Sequence, residues 1–372
     1  MGEMLKALKF VKKNLVFCIA AFLAVVTMVI VPPDKAYLGY FDFKTLTCLF
    51  ITLAVVCALR NIWFFTILAR KLVNLAGNLR TLFLMLIVIT FIGSMIIAND
   101  MALITFLPLG YFALSVIKQE KYMAYLFVLQ NISANLGGML TPFGNPQNLY
   151  LYSYFNIPTG EFCLIMLPAF LLAVALLVIA CLPIKPIKFT INEEFGEKLN
   201  RKKAIIYGIL FLLSILIVFR VVPFLVGLVL IPLVLFFVDR DSLKMVDYGL
   251  LFTFVFFFIF SGNLARMEAV NNLLSNLLSK DTLLVSTLSC QVISNVPSAI
   301  LLSRFTENYP ALLLGVNIGG TGTIIASLAS LITFNEFKLL HPNQTKKYIL
   351  IFTIVNAAFL IILTLAAKLF MV

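Results

Sequence analysis

The chain has 372 residues, of which 62% are hydrophobic and only 12% are charged. Soluble domains carry about 25% charged residues, so the composition excludes a soluble globular domain, a disordered chain and a disulfide scaffold. Several apolar stretches reach the length of about 20 residues that crosses a bilayer as a helix, whereas barrel strands are alternating segments of about 10 residues. We therefore predict an all-α polytopic membrane protein. The formal charge of +12 is interpreted first as a topology signal, because cytoplasmic loops collect Lys and Arg.

The N-terminal segment is basic and precedes an apolar run from Leu15 to Val31. This run resembles a signal peptide, but it is long and ends in Val-Pro-Pro-Asp rather than in small residues, so it predicts a retained first helix. The longest polar stretch divides the rest of the chain into two halves. We predict about 11 transmembrane helices in four units: the first helix and external loop at 1–42, repeat 1 at 43–184, a cytoplasmic linker at 185–203, and repeat 2 at 204–372.

Both repeats show the same order of elements along the chain. Two less apolar stretches have Leu and Val at helical spacing with one polar face, which favours helices lying along the membrane interface over simple surface loops. Longer apolar segments with polar interruptions follow them. The predicted elements are an interfacial helix at 63–80 and 264–280, a re-entrant hairpin at 81–117 and 281–303, and a broken helix at 122–156 and 309–334.

The distribution of basic residues supports one orientation, with the N-terminus inside and the C-terminus outside. If both hairpins return to the side from which they enter, 21 of the 28 Lys and Arg residues lie inside and seven lie outside, as expected for a cytoplasmic (inner) membrane. The first hairpin then opens inside and the second opens outside. This arrangement predicts inverted repeats, which many secondary transporters use to hold substrate and ions near the membrane midplane.

Short sequence matches support the repeat. Helix-breaking and polar residues inside apolar segments survive only where protein, water or ligand completes the broken backbone hydrogen bonds. Amides freed at the N-termini of half-helices attract anions, and freed carbonyls bind Na⁺. The matched segments are Ala98–Ala102 with Ser294–Ser298, Asn135–Gly138 with Asn317–Gly320, and Gly144–Asn148 with Ala326–Ser330.

Asp100 is the single acidic residue, of 16, that lies deep in an apolar segment. A carboxylate there is costly and suggests a functional site, so we interpret it as a coupling group that binds a proton or faces Na⁺. The alternative is an N-cap for the second arm of the hairpin. Asn99 and Asn295 are interpreted as ligands at the two hairpin tips, with turn-forming Asn residues as the alternative.

The predicted substrate and ion site combines the hairpin tips and the helix breaks. One Na⁺ is predicted near Asn99, Asp100 and Asn145, and another near Asn295 and Thr323. The lone His341 and six unpaired Cys argue against a transition metal, and no phosphate-binding loop is present. We therefore predict no enzyme activity, no cofactor beyond the coupling ion and no nucleic-acid partner. The predicted site residues are Asn99, Asp100, Thr141, Gly144, Asn145, Asn148, Ser294, Asn295, Ser298, Thr321, Gly322, Thr323 and Ser327.

These motifs resemble those of the ion transporter superfamily, which includes arsenite permeases, sodium–proton antiporters, citrate transporters and divalent anion–sodium symporters. The resemblance rests on N-L-G-G-x-x-T-x-x-G-N-P-Q-N at 135–148, S-N-V-P at 294–297 and N-I-G-G-x-G-T-x-x-A-S-L-A-S at 317–330. It implies a scaffold domain, a moving transport domain, elevator-type alternating access and commonly a homodimer. It also implies that the hairpin tips and helix breaks bind substrate and ions.

The chain departs from its relatives at both tips. Antiporter-like relatives have an acidic residue where this chain has Ser294, and dicarboxylate symporters favour Thr where it has Asp100 and Val296. The first hypothesis for function is therefore a secondary active transporter of a small anion, a carboxylate or an inorganic oxyanion, coupled to Na⁺ or H⁺. The alternatives are a cation–proton antiporter that uses Asp100 and an arsenite or antimonite efflux permease.

Overall fold

The computed structural model describes residues 15–189 and 199–371, and these residues are almost entirely helical. The basic segment 1–14 and the centre of the linker at 190–198 lie outside the described residues, so the charges assigned to them above stay predictions. Within the described ranges, the sole extended pairing is an isolated bridge between Asn78 and Lys188.

In residues 15–189, eight α-helices precede the linker. Several begin at a side chain that accepts a backbone N–H, such as Asp42 and Asn78, which replaces a hydrogen bond missing from the first turn. The helices are α1 Leu15–Ile30, α2 Phe43–Asn61, α3 Phe64–Val73, α4 Leu79–Ile97, α5 Asn99–Val116, α6 Met123–Gly137, α7 Pro146–Tyr154 and α8 Thr159–Cys181.

Ten α-helices lie in residues 199–371, and Asp247 and Asp281 cap two of them in the same manner. The helices are α9 Arg201–Val218, α10 Phe224–Val238, α11 Arg240–Lys244, α12 Tyr248–Ala265, α13 Glu268–Lys280, α14 Thr282–Ile293, α15 Asn295–Leu302, α16 Tyr309–Ile318, α17 Leu328–Leu340 and α18 Thr345–Phe370.

Six helical segments in the described part are long and apolar enough to cross a membrane, and four shorter helices are also apolar. Many large apolar side chains on them are exposed, which suits a surface in contact with lipid rather than with water. The prediction of an all-helical, polytopic membrane protein is confirmed at this level, and the chain is an integral membrane protein. The six segments are Phe43–Asn61, Leu79–Ile97, Asn99–Val116, Thr159–Cys181, Tyr248–Ala265 and Pro342–Phe370.

Two helical hairpins contain the predicted tips. Helices α4 and α5 pack against each other and are separated by Ala98 alone, and α14 and α15 are separated by Ser294 alone. The arms differ in length, with 19 and 18 residues in the first hairpin and 12 and 8 in the second. The second hairpin is therefore much shorter than the first.

Two helices are interrupted within apolar stretches. Helix α6 ends at Gly137, and α7 begins nine residues later at Pro146. In the second half α16 ends at Ile318 and α17 begins at Leu328. The halves exchange neighbours at these breaks, because α7 packs on α15 and α16, whereas α17 packs on α5 and α6. The breaks of both halves therefore come together in the interior.

The two predicted interfacial stretches contain shorter helices than the sequence pattern suggests. Helix α3 covers 64–73 of the stretch 63–80, and α13 covers 268–280 of the stretch 264–280. Residues 74–78 connect α3 to α4, where the Asn78 side chain accepts the Thr81 N–H at 3.0 Å. Asn78 therefore caps the start of α4, which begins at Leu79 inside the predicted stretch.

Candidate functional site

The broken helices are held together by hydrogen bonds that cross between the halves. Asn317 on α16 donates to Asn148 Oδ1 on α7 at 2.6 Å, and Asn131 on α6 lies 3.3 Å from the Ser330 hydroxyl on α17. Asn148 and Ser330 occupy equivalent positions in the sequence repeat. Each half therefore contributes a first helix that bonds to the second helix of the other half.

Three asparagines form the centre of this contact. The Asn145 side-chain amide donates to the Asn135 carbonyl oxygen and to Asn317 Oδ1, both at 3.3 Å. Gln147 donates to the same Asn317 oxygen at 3.4 Å. All four side chains are at most 2% exposed, so these hydrogen bonds form away from water, while Asn145 Oδ1 and Gln147 Oε1 have no partner among the described residues. We call Asn135, Asn145, Gln147 and Asn317 the central amide cluster.

The first hairpin tip touches this cluster. Asn99 is buried, its amide lies 3.4 Å from Asn135 Oδ1, and its own Oδ1 accepts the Asp100 N–H at 3.0 Å. Helix α5 starts after Ala98, so Asp100 sits in its first turn and does not cap it. Asp100 Oδ1 is buried without a hydrogen-bond partner among the described residues. This carboxylate oxygen is therefore available to a proton or a cation.

The second tip has the same local geometry. Asn295 is buried, and its Oδ1 accepts the Val296 N–H at 2.9 Å, just as Asn99 accepts that of Asp100. Its backbone N–H donates to the Ala326 carbonyl at 2.9 Å, which fastens the tip to the second helix break. A Cβ added to Gly320 would lie 3.1 Å from Asn295 Nδ2 and 3.8 Å from Asn135 Oδ1. Gly320 therefore lets the second tip approach the central amide cluster.

The first break depends on close backbone packing. A Cβ at Gly144 would lie 2.4 Å from the Gly138 carbonyl and 2.6 Å from the Thr141 hydroxyl, so neither atom leaves room for a side chain. The Thr141 hydroxyl donates to the Met95 carbonyl of α4 at 2.9 Å. Asn148 donates to the carbonyls of 138, 139 and 141 at 3.1–3.3 Å. These bonds replace the backbone pairing that the break removes.

Several predicted site residues make contacts away from the cluster. Ser298 pairs with Ser289 at 2.9 Å inside the second hairpin, and the Thr321 hydroxyl donates to the carbonyl of 318. Thr323 is exposed and bonds through its N–H and its hydroxyl to Gln291. A Cβ at Gly322, which has a φ of +114°, would collide with the same Gln291.

Other predicted residues bond at the second break. The Ser294 hydroxyl lies 3.3 Å from the Ala326 carbonyl, and Ser327 pairs with Ser330 at 2.9 Å while it caps α17. Sequence reasoning placed all these residues by alignment, and the alignment does not reveal which side chains turn inward.

The sequence reasoning also missed residues that the structure brings to the centre. Asp100 was selected because it is a polar side chain deep in an apolar segment. The same criterion, applied to Asn and Gln side chains, selects each of these residues. The criterion was used only for charged side chains, and Asn and Gln side chains were considered only at the hairpin tips and helix breaks. The missed residues at the centre are Asn131, Asn135, Gln147 and Asn317; Gln291, which bonds to the second break away from the cluster, was also missed.

The centre has polar groups but no fixed positive charge. No Lys, Arg, Asp or Glu is among the buried residues of the described ranges. Helices α5, α7, α15 and α17 begin at the tips and breaks, so their positive N-terminal ends lie there. The surroundings therefore suit an anion or a polar neutral solute, with charge supplied by dipoles and by a bound cation.

The first tip and break carry buried oxygen atoms of the kind that a small hard cation binds. Asp100 Oδ1, Asn145 Oδ1 and Gln147 Oε1 are buried acceptors without a hydrogen-bond partner in the described part. Near the second tip, by contrast, Asn295 Oδ1 already accepts an N–H and the Thr323 hydroxyl already donates. In the ranges described, no group of three His, Cys, Asp or Glu side chains could hold a metal ion.

Known proteins resemble this chain over most of its length. An uncharacterized transporter of Methanocaldococcus jannaschii is 32% identical over 338 residues, which cover 89% of this chain and 91% of the relative. The inner membrane protein YbiR of Escherichia coli is 30% identical over 277 residues, or 72% of this chain and 73% of the relative. A silicon efflux transporter of Oryza sativa is 32% identical over 168 residues, or 44% of this chain and 34% of the relative.

A family model described as citrate transporter matches residues 4–311. This match includes the first hairpin, the first break and the second hairpin tip. The resemblance to the ion transporter superfamily is thereby confirmed, and the chain belongs to the citrate transporter family of membrane transporters.

Proposed function

We propose that the protein is a secondary active transporter that moves a small anion, a carboxylate or an inorganic oxyanion, across the cytoplasmic membrane. The observation that carries the proposal is the central amide cluster, which joins both halves where four helix N-termini meet and where the described residues include no buried cation. Amide N–H groups and helix dipoles bind anions without a fixed positive charge. The absence of fixed charge also leaves room for a co-transported cation.

Coupling is assigned to the first tip. Asp100 Oδ1, Asn145 Oδ1 and Gln147 Oε1 would hold Na⁺, or Asp100 would take a proton, because each oxygen is buried and lacks a partner among the described residues. A bound cation supplies positive charge beside the anion and so links the two binding events. The second Na⁺ position, near Asn295 and Thr323, has weaker support, because both side chains are already hydrogen-bonded.

The transport cycle that we propose is an elevator movement of the hairpins and broken helices against the remaining helices, in a homodimer with the N-terminus inside and the C-terminus outside. The exchanged packing of α7 and α17 supports it, because the two breaks and the two tips would then move as one unit. The matching geometry of the tips supports two inverted repeats as its origin.

Uptake by the purified protein in liposomes tests the function. We expect citrate, succinate or phosphate to accumulate when an inward Na⁺ or H⁺ gradient is imposed, and to equilibrate slowly without one. Uptake that ignores both gradients would contradict coupling, and the absence of uptake for all three anions would contradict the choice of substrate class.

Replacing Asp100 with Asn separates coupling from binding. We expect D100N to lose most gradient-driven accumulation, because the neutral amide neither takes a proton nor supplies a charge to Na⁺. The matched control is D241N, which removes an exposed carboxylate paired with Lys244. Full gradient-driven uptake by D100N would remove Asp100 from the coupling mechanism.

Two alternative functions are each supported by a feature of the site. The unpartnered Asp100 oxygen also suits a cation–proton antiporter, which predicts pH-dependent Na⁺ exchange that D100N abolishes. The uncharged amide cluster, together with the relative named as a silicon efflux transporter, suits efflux of a neutral hydroxide such as arsenite or antimonite. Expression that raises metalloid tolerance, without citrate, succinate or phosphate uptake, would favour the efflux permease.

A further inference from the structure

Two cavities outside the central amide cluster contain the charges that the centre lacks. The first has a volume of about 370 Å³ and lies between the end of α2, α3 and α5; Arg60, Arg70, Asn61, Thr66 and Thr105 are among its lining residues. We call it the Arg60 cavity. None of its lining residues is acidic.

Arg60 is exposed to this cavity with little competition from carboxylates. Its Nη1 lies 3.7 Å from Met101 Sδ on α5, and no carboxylate of the described residues comes within 4.0 Å of its guanidinium. The nearby Asp239 carboxylate accepts hydrogen bonds from Asn61 at 3.2 Å and from Tyr207 at 3.0 Å. The positive charge of Arg60 is therefore not neutralised by a direct ion pair.

The second cavity, of about 290 Å³, lies between the start of α2, the end of α7 and the end of the second hairpin. Lys44, Arg304, Asp42, Tyr40, Tyr150 and Ser153 are among its lining residues, and we call it the Arg304 cavity. The cavity thus holds two cationic side chains, Lys44 and Arg304, against one carboxylate, Asp42, whose oxygens accept the N–H and the hydroxyl of Thr45 at 2.9 and 2.5 Å. Arg304 donates to the Tyr40 carbonyl at 2.8 Å, while its Nε is buried without a partner in the described part.

The two cavities lie at opposite ends of one membrane-spanning helix. Lys44 is the second residue of α2 and Arg60 the second from its end, so the two charges are about 24 Å apart along the axis. Each cavity also adjoins a helix that starts at the centre. Thr105 lies about 9 Å along α5 from Asn99, and Ser153 lies about 12 Å along α7 from Asn145.

We propose that the Arg60 and Arg304 cavities are anion-collecting access cavities on the two membrane faces, each leading to the central amide cluster. The inference rests on the proposed function in taking a small carboxylate or oxyanion as the cargo. Clefts with an excess of one sign of charge between low-dielectric walls raise the local concentration of counter-ions by about tenfold or more, and both cavities have an excess of positive charge. The cavities thus favour anions over cations on the way to the centre, and the centre binds them through uncharged hydrogen-bonding groups.

Thiol labelling tests the charge of each cavity without a known substrate. Reporter cysteines T105C and S153C are placed singly in a full-length chain whose six native cysteines are replaced by Ala. The reagents are methanethiosulfonates with a sulfonate or a trimethylammonium group, and their rates are divided by their rates with a free thiol. We expect the anionic reagent to be favoured by about tenfold at both positions. We expect T105C to react from one side of the membrane and S153C from the other.

Charge removal assigns the effect to the cavities. R60Q should reduce the anionic preference at T105C without abolishing it, because Arg70 still lines that cavity, and should leave S153C unchanged. K44Q should reduce the preference at S153C and leave T105C unchanged, and R60K should restore the preference at T105C. The matched controls R201Q and K35Q remove exposed charges elsewhere, and they should leave the ratio of the two labelling rates unchanged at both reporter cysteines. High salt should weaken the preference in the parent protein, because mobile ions screen the two cavities.

Equal normalised rates for the two reagents in the parent protein, or a preference that R60Q and K44Q leave unchanged, would overturn the inference. The labelling and uptake experiments distinguish failure of the access cavities from failure of the proposed function. Charge-selective labelling in a protein that takes up no anion would contradict the proposed function and leave the cavities as assigned. Anion uptake with unselective labelling would contradict the access cavities alone.

Discussion

Ala98 and Ser294 adopt the same unusual backbone conformation at the two hairpin tips. Their φ values are +65° and +74° with ψ of 154° and 159°, a region that residues other than Gly rarely occupy. Such strain costs on the order of 1–3 kcal/mol and persists where the surrounding structure enforces it. In both tips it turns the following Asn inward, toward the helix breaks. The strain thus positions Asn99 and Asn295 as proposed ligands.

Asn317 is the residue whose loss should disturb the centre most. It donates to Asn148 Oδ1 and to the Leu313 carbonyl, and it accepts from Asn145 and Gln147. N317A leaves buried polar groups without partners, and each costs about 1–3 kcal/mol. We expect a loss of at least about 2 kcal/mol in stability, measured by thermal unfolding in detergent, together with loss of anion uptake.

The control for this change is N343A, which truncates an exposed amide in the loop before α18. It should leave the melting temperature within the error of the parent protein. A melting temperature for N317A equal to that of N343A would show that the central amides are not required for stability.

At the scale of elements, close contact between α4 and α6 depends on Gly137. A Cβ there would lie 2.3 Å from the Phe91 carbonyl and 2.4 Å from the Ser94 hydroxyl, and a backbone oxygen cannot move away cheaply. We expect G137A to separate the first hairpin from the broken helix and to lower stability by about 1–3 kcal/mol, as overpacking does. Thermal unfolding of G137A and the parent protein in detergent measures this loss of stability.

Gly208 provides the matched control for Gly137. It also lies inside a helix, α9, but a Cβ there would meet no atom within 4 Å. G208A should be neutral or stabilising by about 0.5–1 kcal/mol, because Ala is the better helix former. If the two substitutions have the same effect, packing of α4 on α6 is not the reason for the glycine.

The loop after α1 is tied to the end of α12 by an ion pair, with Asp34 Oδ2 and Arg266 Nη2 2.8 Å apart. The hydrogen bond from Arg266 lowers the pKa of the Asp34 carboxyl below its ordinary value of 3.8. A lowered folded-state pKa means that the stabilisation is present above the unfolded-state pKa and is lost as pH falls through the folded-state value.

We therefore expect the difference in melting temperature between the parent and D34N to be small and constant from pH 8 to pH 5, to begin to fall near pH 4, and to vanish only below the folded-state pKa of Asp34. It should be small because both side chains are substantially exposed. A difference that disappears between pH 7 and pH 5 would contradict the assignment of the effect to this carboxylate.

At the scale of the whole molecule, the orientation is testable by labelling. The six native cysteines are all buried or half-buried, so they give little background to an impermeant thiol reagent. We expect K35C to react in intact cells and N343C to react only after permeabilisation, because the charge distribution places 35 outside and 343 inside. The reverse pattern would invert the topology, and labelling of both from one side would contradict the proposed hairpin return.

The membrane helices and the positions of their polar interruptions could be predicted from the sequence. Apolar length and charge scarcity identify membrane helices because both are local properties of a segment in hydrocarbon. The tips at Asn99 and Asn295 and the break around Asn145 could be found for the same reason, since polar and helix-breaking residues are costly there. Helix ends were predicted less accurately, because α3 ends at Val73 and the Asn78 cap starts α4 inside the stretch 63–80.

The sequence by itself determined that the chain is a helical membrane protein with paired polar interruptions and a single deep carboxylate, Asp100. The tertiary structure decided which polar side chains meet. Asn317 bonds to Asn148 across 169 positions and Asn131 to Ser330 across 199, so no local pattern distinguishes them from amides that face their own helix. It also turned Thr323 outward to Gln291 and gathered Lys44 and Arg304 into one cavity. Local physics sets where the chain must be broken or buried, whereas the partners of each buried polar group depend on how distant helices pack.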